Sequence, residues 1–566
     1  MYNELIEKMK PKPKLNLSWY QNQDLYSEGE VEDTIIRLIA ENEPEDYVQA
    51  IADHYCWSTY YHLSHIRKNI LNWYPFDKSA SVLEIGCGMG AITSVLCDQC
   101  EEVTSVELSK KRAIGTLLRC REKVNLEIIV GNLNDIHFEK KFDYVTLIGV
   151  LEYQGSYTDG ENPYLDFLKK VKSLLKPGGK LLLAIENQYG LKYWCGARED
   201  HTGLPFEGMN QYTISGKKVK TFSKATLDSL LKESGFSNTY FYYPMPDYKM
   251  PTIIYSQNYL PKNENMMNMQ CYYTPDDYTL IAQEEKIYKD IIQNNVFDFF
   301  ANSFLVECAE QGDTGEITFA SLSCKRLPEY QVGTRFTKHG KVEKFALYKE
   351  QGQRHLCETM DNEEAMRRRG TNVLKSCMKE QVLEEDYLEA PSVEEILLET
   401  YHQRDKEKIF EFLDLFYEEI LKSSEEALWS DNILYTFGLG IIPDEGKYGP
   451  ILETGYLDMI FRNAFWENNH ILWFDQEWKL ENVPAKFILY RAIVQFYCSY
   501  EEVNQILPLT ILAKRYGLAM LWKDFQQLDD LFSSVIIDPI LMAETKGFRG
   551  DGKSASLKSI NRLISQ

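Results

Sequence analysis

The sequence has no apolar run of about 18 residues, the minimum for a membrane-spanning helix. It is also poor in positive charge, because 62 Lys and Arg residues stand against 85 Asp and Glu residues and leave a net charge of −23. A general nucleic-acid binder needs a basic surface. We therefore expect no membrane span and no nucleic-acid partner.

The sequence also lacks paired cysteine motifs and a recognisable signal peptide. Its twelve cysteines are scattered, and Cys97 and Cys100 form the single C-x-x-C pair. Without a second pair, zinc binding is disfavoured, and helix packing is the preferred interpretation. Free thiols without a signal peptide indicate a reducing compartment, so we expect a cytoplasmic location.

A chain of 566 residues is too long for one core. The changes in composition along the chain and the positions of Gly and Pro predict five segments. They are an N-terminal lead-in and helix (1–45), a first domain (46–260), a linker (261–298), a second domain (299–545) and a basic tail (546–566).

The stretch Ser81–Gly90 reads SVLEIGCGMG and predicts a buried strand followed by a glycine turn. Gly86, Gly88 and Gly90 allow positive φ and close approach of a ligand. A helix-compatible run follows, and the N–H groups at its start favour an anionic ligand group.

Further strands alternate with helices from Ser81 to Ile185, which predicts an α/β, Rossmann-like domain with a mostly parallel sheet. The second strand ends in Glu107, and another strand end leads to Asn132. Ligands bind beyond the carboxyl ends of such strands, where an acid can accept hydrogen bonds from ribose hydroxyls.

Taken together, the motifs between about Tyr61 and Tyr243 resemble those of class I S-adenosylmethionine-dependent methyltransferases. The resemblance implies that Glu84 and the three glycines hold the methionine part of S-adenosylmethionine. It also implies that Glu107 holds the ribose. The segment from Asn132 to Asn134 would lie near the adenine. Many family members have Asp where Asn132 stands.

The segment from Glu186 to Gly203 is dense in groups that bind hydroxyls or phosphate. It resembles ENxxGLKYxxGxxEDHTG segments in methyltransferases of bacterial polysaccharide biosynthesis, which implies a glycan or glycan-phosphate acceptor. If the acceptor is an alcohol, the candidate bases are His201, Glu199 and Asp200. The alternative is that these residues form a network that fixes the loop around Arg198.

A different domain is expected from 299 onwards. Strand-like runs at 303–308 and 317–320 precede a predicted hairpin over 331–347, after which a helix should pass through His355, Glu358 and Glu364.

Later, Asp458 and Asn463 have the D-x-x-x-x-N spacing of a kinase catalytic loop, and Asp475 follows a short strand. The pattern resembles the aminoglycoside-phosphotransferase branch of the protein-kinase-like fold, which implies an α+β bilobal domain that uses ATP and magnesium. In that role Asp458 orients and deprotonates a hydroxyl, Asn463 and Asp475 bind magnesium, and Lys344 contacts the nucleotide phosphates.

Some kinase features are missing. No G-x-G-x-x-G loop precedes Lys344 and no His-Arg pair precedes Asp458. The partner of Lys344 stays open between Glu358, Glu363 and Glu364. A degenerate, substrate-holding domain is therefore the alternative to an active kinase.

The order of the two domains resembles bifunctional enzymes that cap bacterial O-antigen chains by phosphorylating the terminal sugar and methylating that phosphate. The resemblance implies a glycan or lipid-linked glycan substrate, a glycosyltransferase partner and, for a cytoplasmic protein, a peripheral position at the inner membrane face. No long heptad run follows the kinase-like segment, so a coiled-coil ruler is not expected. The alternatives are a single-activity glycan methyltransferase and a non-enzymatic scaffold within a glycosyltransferase complex.

Overall fold

The computed structural model describes residues 2–24, 26–262, 282, 284–436, 441 and 443–538. These residues form two compact units, the first ending at Cys324 and the second running from Lys325 to Asp538. The expected basic tail (546–566) lies outside the described residues, as does 263–281 of the expected linker. In the described ranges, no helix has the length and apolarity needed to cross a bilayer.

The first unit is built on one large sheet with strand order β1-β4-β3-β2-β5-β6-β9-β7-β8-β10. From β1 to β6 in that order neighbouring strands are parallel, and from β6 to β10 they are antiparallel. The strands are β1 Lys14–Asn16, β2 Ser81–Ile85, β3 Glu102–Glu107, β4 Leu126–Val130, β5 Phe142–Ile148, β6 Leu175–Glu186, β7 Asn238–Met245, β8 Ile253–Ser256, β9 Ser303–Ala309 and β10 Ile317–Leu322.

Continuous apolar runs form the central strands because parallel strands are covered on both faces. Leu83, Val145 and Leu183 are fully buried in the core of the first unit. The mostly parallel, Rossmann-like sheet predicted from the alternation of elements is confirmed. The helices are α1 Tyr2–Met9, α2 Val31–Glu41, α3 Tyr47–Asp53, α4 Trp57–Leu63, α5 Ala91–Gln99, α6 Lys110–Arg119, α7 Gln154–Tyr157, α8 Pro163–Ser173, α9 Leu191–Trp194, α10 Lys224–Glu233, α11 Glu284–Gln293 and α12 Phe297–Phe300.

The structure moves the boundary between the units from 299 to 325. The physical reason is β9, which pairs with β6 on one side and with β7 on the other and so completes the sheet of the first unit. The N-terminal residues are also part of this unit, since β1 pairs in parallel with β4. The segment 1–45 is therefore not a separate lead-in.

The second unit begins with an antiparallel sheet of order β11-β12-β14-β13, against which the long helix α13 packs. A mostly helical part follows, with the small sheets β15-β16-β19 and β17-β18. The strands are β11 Val332–Thr337, β12 Lys341–Ala346, β13 Ser376–Lys379, β14 Val382–Asp386, β15 Glu426–Ala427, β16 Ile451–Tyr456, β17 Ala464–Glu467, β18 His470–Trp473 and β19 Lys479–Pro484.

The hairpin predicted over 331–347 is present as β11 and β12, and the predicted helix through His355 is α13. Around α17 a separate apolar core forms, which includes Trp473, Phe487 and Phe496. The helices are α13 Lys349–Arg368, α14 Val393–His402, α15 Lys406–Lys422, α16 Ile433–Thr436, α17 Ala485–Ser499, α18 Val503–Ile506, α19 Leu509–Arg515 and α20 Trp522–Ile536.

Candidate functional site

The glycine turn lies between β2 and α5, and all three of its glycines have positive φ. Gly86 has a φ of 81°, and a Cβ atom added to it would lie 2.5 Å from Cγ2 of Val150. The turn therefore passes so close to the segment after β5 that a side chain does not fit. It forms part of the wall of a cavity of about 360 Å³ at the carboxyl ends of the parallel strands.

Glu84 takes a different position from the one expected for a methionine contact. Its buried carboxylate accepts hydrogen bonds of 2.7 Å from the hydroxyls of Thr93 and Ser105, and it does not line the cavity. Burial raises the pKa of Glu84 to about 7. The cofactor-binding prediction for Glu84 is corrected: the residue supports the strand and helix that flank the turn.

Glu107, the last residue of β3, lines the cavity beside the glycine turn. Its Oε2 accepts a hydrogen bond from the N–H of Gly88 at 2.8 Å, and its Oε1 accepts one from the N–H of Ser109 at 3.1 Å. The two bonds fix the carboxylate at the strand end, the position in which an acid of this fold can receive ribose hydroxyls.

Asn132 and Asn134 separate in the structure. Asn132 lines the cavity, whereas Asn134 does not. The Asn134 side chain instead donates hydrogen bonds to the carbonyl of Tyr157 at 2.9 Å and to the hydroxyl of Thr158 at 3.0 Å. The structure therefore places Asn132 in the cavity wall, where its contact with the adenine stays a prediction, and it assigns Asn134 to fixing a neighbouring loop.

His201 lies in the same cavity, between two carboxylates. Its Nδ1 is 2.7 Å from Oε1 of Glu199, and its Nε2 is 3.8 Å from Oε1 of Glu152. Burial alone would lower the pKa of His201, but the neighbouring carboxylates of Glu152 and Glu199 raise it well above its ordinary value. Glu199 also accepts the N–H groups of His201 and Thr202, so it fixes the loop and the ring together.

Asp200 forms ion pairs with two lysines, so its carboxylate is not available as a base. Its carboxylate is 3.0 Å from Nζ of Lys192 and 3.0 Å from Nζ of Lys249, and it accepts a hydrogen bond from the hydroxyl of Tyr193 at 2.6 Å. Although burial opposes ionisation, the two lysines hold the pKa of Asp200 well below its usual range.

Sequence reasoning missed Glu152, Glu186 and Lys249, which also line the cavity. Lys249 Nζ lies 2.5 Å from Oε1 of Glu186. A usable signal existed for both acids, because Glu152 closely follows β5 and Glu186 ends β6, and ligands bind beyond those strand ends. Lys249 comes from the turn between β7 and β8, and the order of the sequence motifs does not predict that this turn reaches the cavity.

The polar residues singled out in the second unit lie close together. Asp458 Oδ2 accepts the N–H groups of Glu477 at 3.0 Å and Trp478 at 3.2 Å, and the Asn463 side chain donates to the Asp458 carbonyl at 3.3 Å. Burial, together with the charges of Glu477 and Asp475, raises the pKa of Asp458 to about 8.

Lys344 on β12 is buried among carboxylates. Its Nζ lies 2.8 Å from Oδ1 of Asp475 and 3.2 Å from Oε1 of Glu385 on β14. Of the three glutamates left open as its partner, Glu363 is the one whose charge acts on Lys344. The other two form ion pairs with arginines on their own helix, namely Glu358 with Arg354, and Glu364 with Arg367 and Arg368.

Comparison with known proteins gives a match for the first unit. A family model described as a methyltransferase domain matches residues 58–240. Nodulation protein S of Rhizobium tropici is 24% identical over 115 residues, which are 20% of this chain and 47% of that protein. Malonyl-[acyl-carrier protein] O-methyltransferase of Priestia megaterium is 27% identical over 127 residues, 22% of this chain and 42% of that protein.

The ubiquinone biosynthesis O-methyltransferase of Xanthomonas euvesicatoria pv. vesicatoria is 30% identical over 112 residues, which are 19% of this chain and 44% of that protein. The chain thus spans less than half the length of these curated relatives. A solved structure of N-methyltransferase NodS from Bradyrhizobium japonicum WM9 with S-adenosyl-L-homocysteine is similar over 29% of this chain and 76% of that chain, with 17% identity and a TM-score of 0.22.

The matched residues span the glycine turn, Glu107, Asn132 and His201. The family model and the relatives therefore support a class I S-adenosylmethionine-dependent methyltransferase domain over residues 58–240.

Proposed function

We propose that the first unit transfers the methyl group of S-adenosylmethionine to an oxygen of a bacterial surface glycan, either a hydroxyl or a terminal phosphate. The observation that carries the proposal is that one cavity contains both sets of residues the reaction needs. The glycine turn and Glu107 fit the cofactor, and His201, held by Glu199, faces the same space. Methyl transfer requires the acceptor oxygen in line with the methyl carbon, and a shared cavity permits this.

Among the three predicted bases, His201 is assigned to acceptor contact. Glu199 is engaged by the ring of His201 and by two backbone N–H groups. Asp200 is a weak base because Lys192 and Lys249 hold its pKa well below its usual range. Polar side chains of the 186–203 segment supply hydroxyl-binding groups, which supports a glycan or lipid-linked glycan acceptor.

For the second unit we propose phosphoryl transfer from ATP to a sugar hydroxyl with the help of magnesium. Asp458 would face the hydroxyl, Asn463 and Asp475 would bind magnesium, and Lys344 would contact the phosphates. The proposal is supported by the ion pair between Lys344 and Asp475 and by the hydrogen bond from Asn463 to the Asp458 backbone. Phosphorylation would then precede methylation of the same chain end, at the inner membrane face and beside a glycosyltransferase partner.

One observation favours a second candidate, in which this unit only holds the glycan. The Asp458 carboxylate already accepts two backbone N–H groups, and its pKa of about 8 leaves it largely neutral at physiological pH. A neutral carboxyl group is a poor acceptor for the proton of a hydroxyl.

Mass spectrometry of candidate glycans incubated with isotope-labelled S-adenosylmethionine, with and without ATP and magnesium, tests both candidates. We expect wild type to add a phosphate and then a methyl group, Asp458→Asn to lose the phosphate, and Glu107→Gln to lose the methyl group. Asp361→Asn, an exposed change on α13, is the matched control. Methylation without any phosphate gain in wild type would support the glycan-holding role, and absence of methylation would refute the first proposal.

A further inference from the structure

Three side chains in the cavity of the first unit converge on one point. One carboxylate oxygen each from Glu152 and Glu186 and one ring nitrogen of His201 all lie within 4.8 Å of one another. They come from three different places in the fold: the 3₁₀ helix after β5, the end of β6 and the loop that follows α9. Two carboxylates and an imidazole are a donor set that divalent cations accept.

Each of the two glutamates in this cluster has one carboxylate oxygen without a hydrogen-bond partner among the described residues. These atoms are Oε2 of Glu152 and Oε2 of Glu186. Both side chains belong to residues that are only 1% exposed. A buried carboxylate oxygen without a partner is costly, and a water, a bound ligand or a cation can satisfy it.

The lysines nearby do not neutralise the cluster. Lys249 is shared between Glu186, Asp200 and Asp247, and its contact with Glu186 uses Oε1 and leaves Oε2 available. Glu152 is ion-paired with His201 alone among the described residues, at 3.8 Å. Around the cluster, five carboxylates face three basic side chains, so an excess of negative charge remains. The acids are Glu152, Glu186, Glu199, Asp200 and Asp247, and the bases are His201, Lys192 and Lys249.

His201 is oriented as a metal-binding histidine would be. Glu199 Oε1 lies 2.7 Å from Nδ1 of His201. In the neutral imidazole, Nδ1–H donates to Glu199, and Nε2 then carries the lone pair that a metal ion needs. Nε2 is the ring nitrogen that faces Glu152. Carboxylate–histidine–metal arrangements of this kind fix both the tautomer and the direction of the ligating nitrogen.

We propose that Glu152, Glu186 and His201 bind a divalent cation, with Mn²⁺ or Mg²⁺ as the expected class. Ligand atoms on opposite sides of such an ion lie about 4.2 Å apart, given bonds of about 2.1 Å. Only one pair of the three donors can lie on opposite sides, and adjacent donors lie about 3.0 Å apart, so from separations of up to 4.8 Å the side chains have to close by between about half an ångström and about 2 Å.

In the proposed function, the cation would bind an oxygen of the acceptor. It would let a phosphate enter a cavity whose wall is acidic, or it would lower the pKa of a bound hydroxyl. This role rests on the proposed function, whereas cation binding itself does not. The two are therefore tested by different measurements.

Cation binding is tested with Mn²⁺ on the full chain without nucleotide, by equilibrium dialysis and electron paramagnetic resonance. An Asp475→Asn background removes the charged one of the two metal ligands proposed in the second unit, Asn463 and Asp475. We expect one Mn²⁺ per chain in this background. Glu152→Gln, Glu186→Gln and His201→Ala should each weaken Mn²⁺ binding at least about tenfold.

Circular dichroism and thermal denaturation show whether each variant is folded. Glu107→Gln in the same background is the matched control, because it removes a cavity carboxylate outside the cluster, and it should retain Mn²⁺ binding. Equal Mn²⁺ affinity in the background protein and all three variants, or no binding at millimolar Mn²⁺, would overturn the proposal.

A measurement in the Asp475→Asn background, with the cluster intact, covers the case in which the cluster variants do not fold. Pulsed electron paramagnetic resonance should show coupling of bound Mn²⁺ to an imidazole nitrogen, since His201 is a ligand. Bound Mn²⁺ without nitrogen coupling would contradict the assignment. Bound Mn²⁺ with this coupling but no methylated glycan would refute the proposed acceptor and leave the cation site standing.

Discussion

Gly86 and Val150 approach each other so closely that a methyl group on Gly86 would meet Cγ2 of Val150 at 2.5 Å. Gly86 also has a φ of 81°, a region that other residues rarely adopt. Since both residues line the cavity, this contact sets the width of the cavity next to the glycine turn.

Gly86→Ala should therefore impair both folding and cofactor binding. We expect a loss of about 1–3 kcal/mol in the free energy of unfolding from the backbone alone, and at least tenfold weaker binding of S-adenosylmethionine. Gly178→Ala is the matched control, because Gly178 has a φ of 78° but nothing within 4 Å of an added Cβ atom. Thermal denaturation and calorimetry measure both effects, and equal losses of binding in the two variants would contradict the steric argument.

Glu107→Gln should weaken S-adenosylmethionine binding without unfolding the first unit. Hydrogen bonds to a charged carboxylate contribute about 1.5–3 kcal/mol, which corresponds to an affinity loss of about 10- to 100-fold. Glu101→Gln, an exposed change just before β3, should bind like wild type. Titration calorimetry decides, and unchanged affinity in Glu107→Gln would mean that Glu107 does not contact the ribose.

Glu84 gives the first unit a pH-dependent stability. Burial raises its pKa to about 7 in the folded protein, above the unfolded value of about 4.3. The stabilisation is complete below the unfolded pKa and is lost as the pH rises through about 7.

Compared with Glu84→Gln, wild type should therefore lose on the order of 1–3 kcal/mol of stability between pH 5 and pH 8. Urea unfolding of both proteins at each pH measures this difference. Glu101→Gln should track wild type throughout. A constant difference between wild type and Glu84→Gln across this range would show that Glu84 is already ionised in the folded state.

Lys344→Met should destabilise the second unit by about 3–5 kcal/mol, because it leaves the carboxylates of Glu385 and Asp475 without their shared cation. Lys341→Met on the same strand is the control, since the Lys341 side chain is 38% exposed and solvent screens its ion pairs, which should therefore contribute little to stability. Thermal denaturation compares the two. Similar losses of stability in the two variants would show that the burial of Lys344 does not determine how much its ion pairs stabilise the second unit.

The sequence predicts the parts of the first unit that local rules govern. Glycines at alternate positions, an acid at a strand end and alternating elements define β2, β3 and the cavity between them. Helix α10 also begins at a local signal, because the Ser223 side chain accepts the N–H of Thr226 as an N-cap.

Long-range pairing could not be predicted in the same way. Strand β9 lies more than 100 residues after β6 in the chain yet pairs with it, and every residue of β9 is buried. A run buried throughout is typical of a central strand, but the sequence does not say which sheet contains it. The partner of Lys344 was missed for a related reason, since Glu385 comes from the neighbouring strand β14 and not from α13.

The position of strand β9 in the sheet also determines where the chain can be divided to produce the first unit alone. A shortened chain that stopped at 260, the end expected for the first domain, would lack the strand that bridges β6 and β7. Each of those strands would then have an unpaired edge, and unpaired strand edges promote aggregation. A cut after Cys324 would instead keep β9 together with β6 and β7.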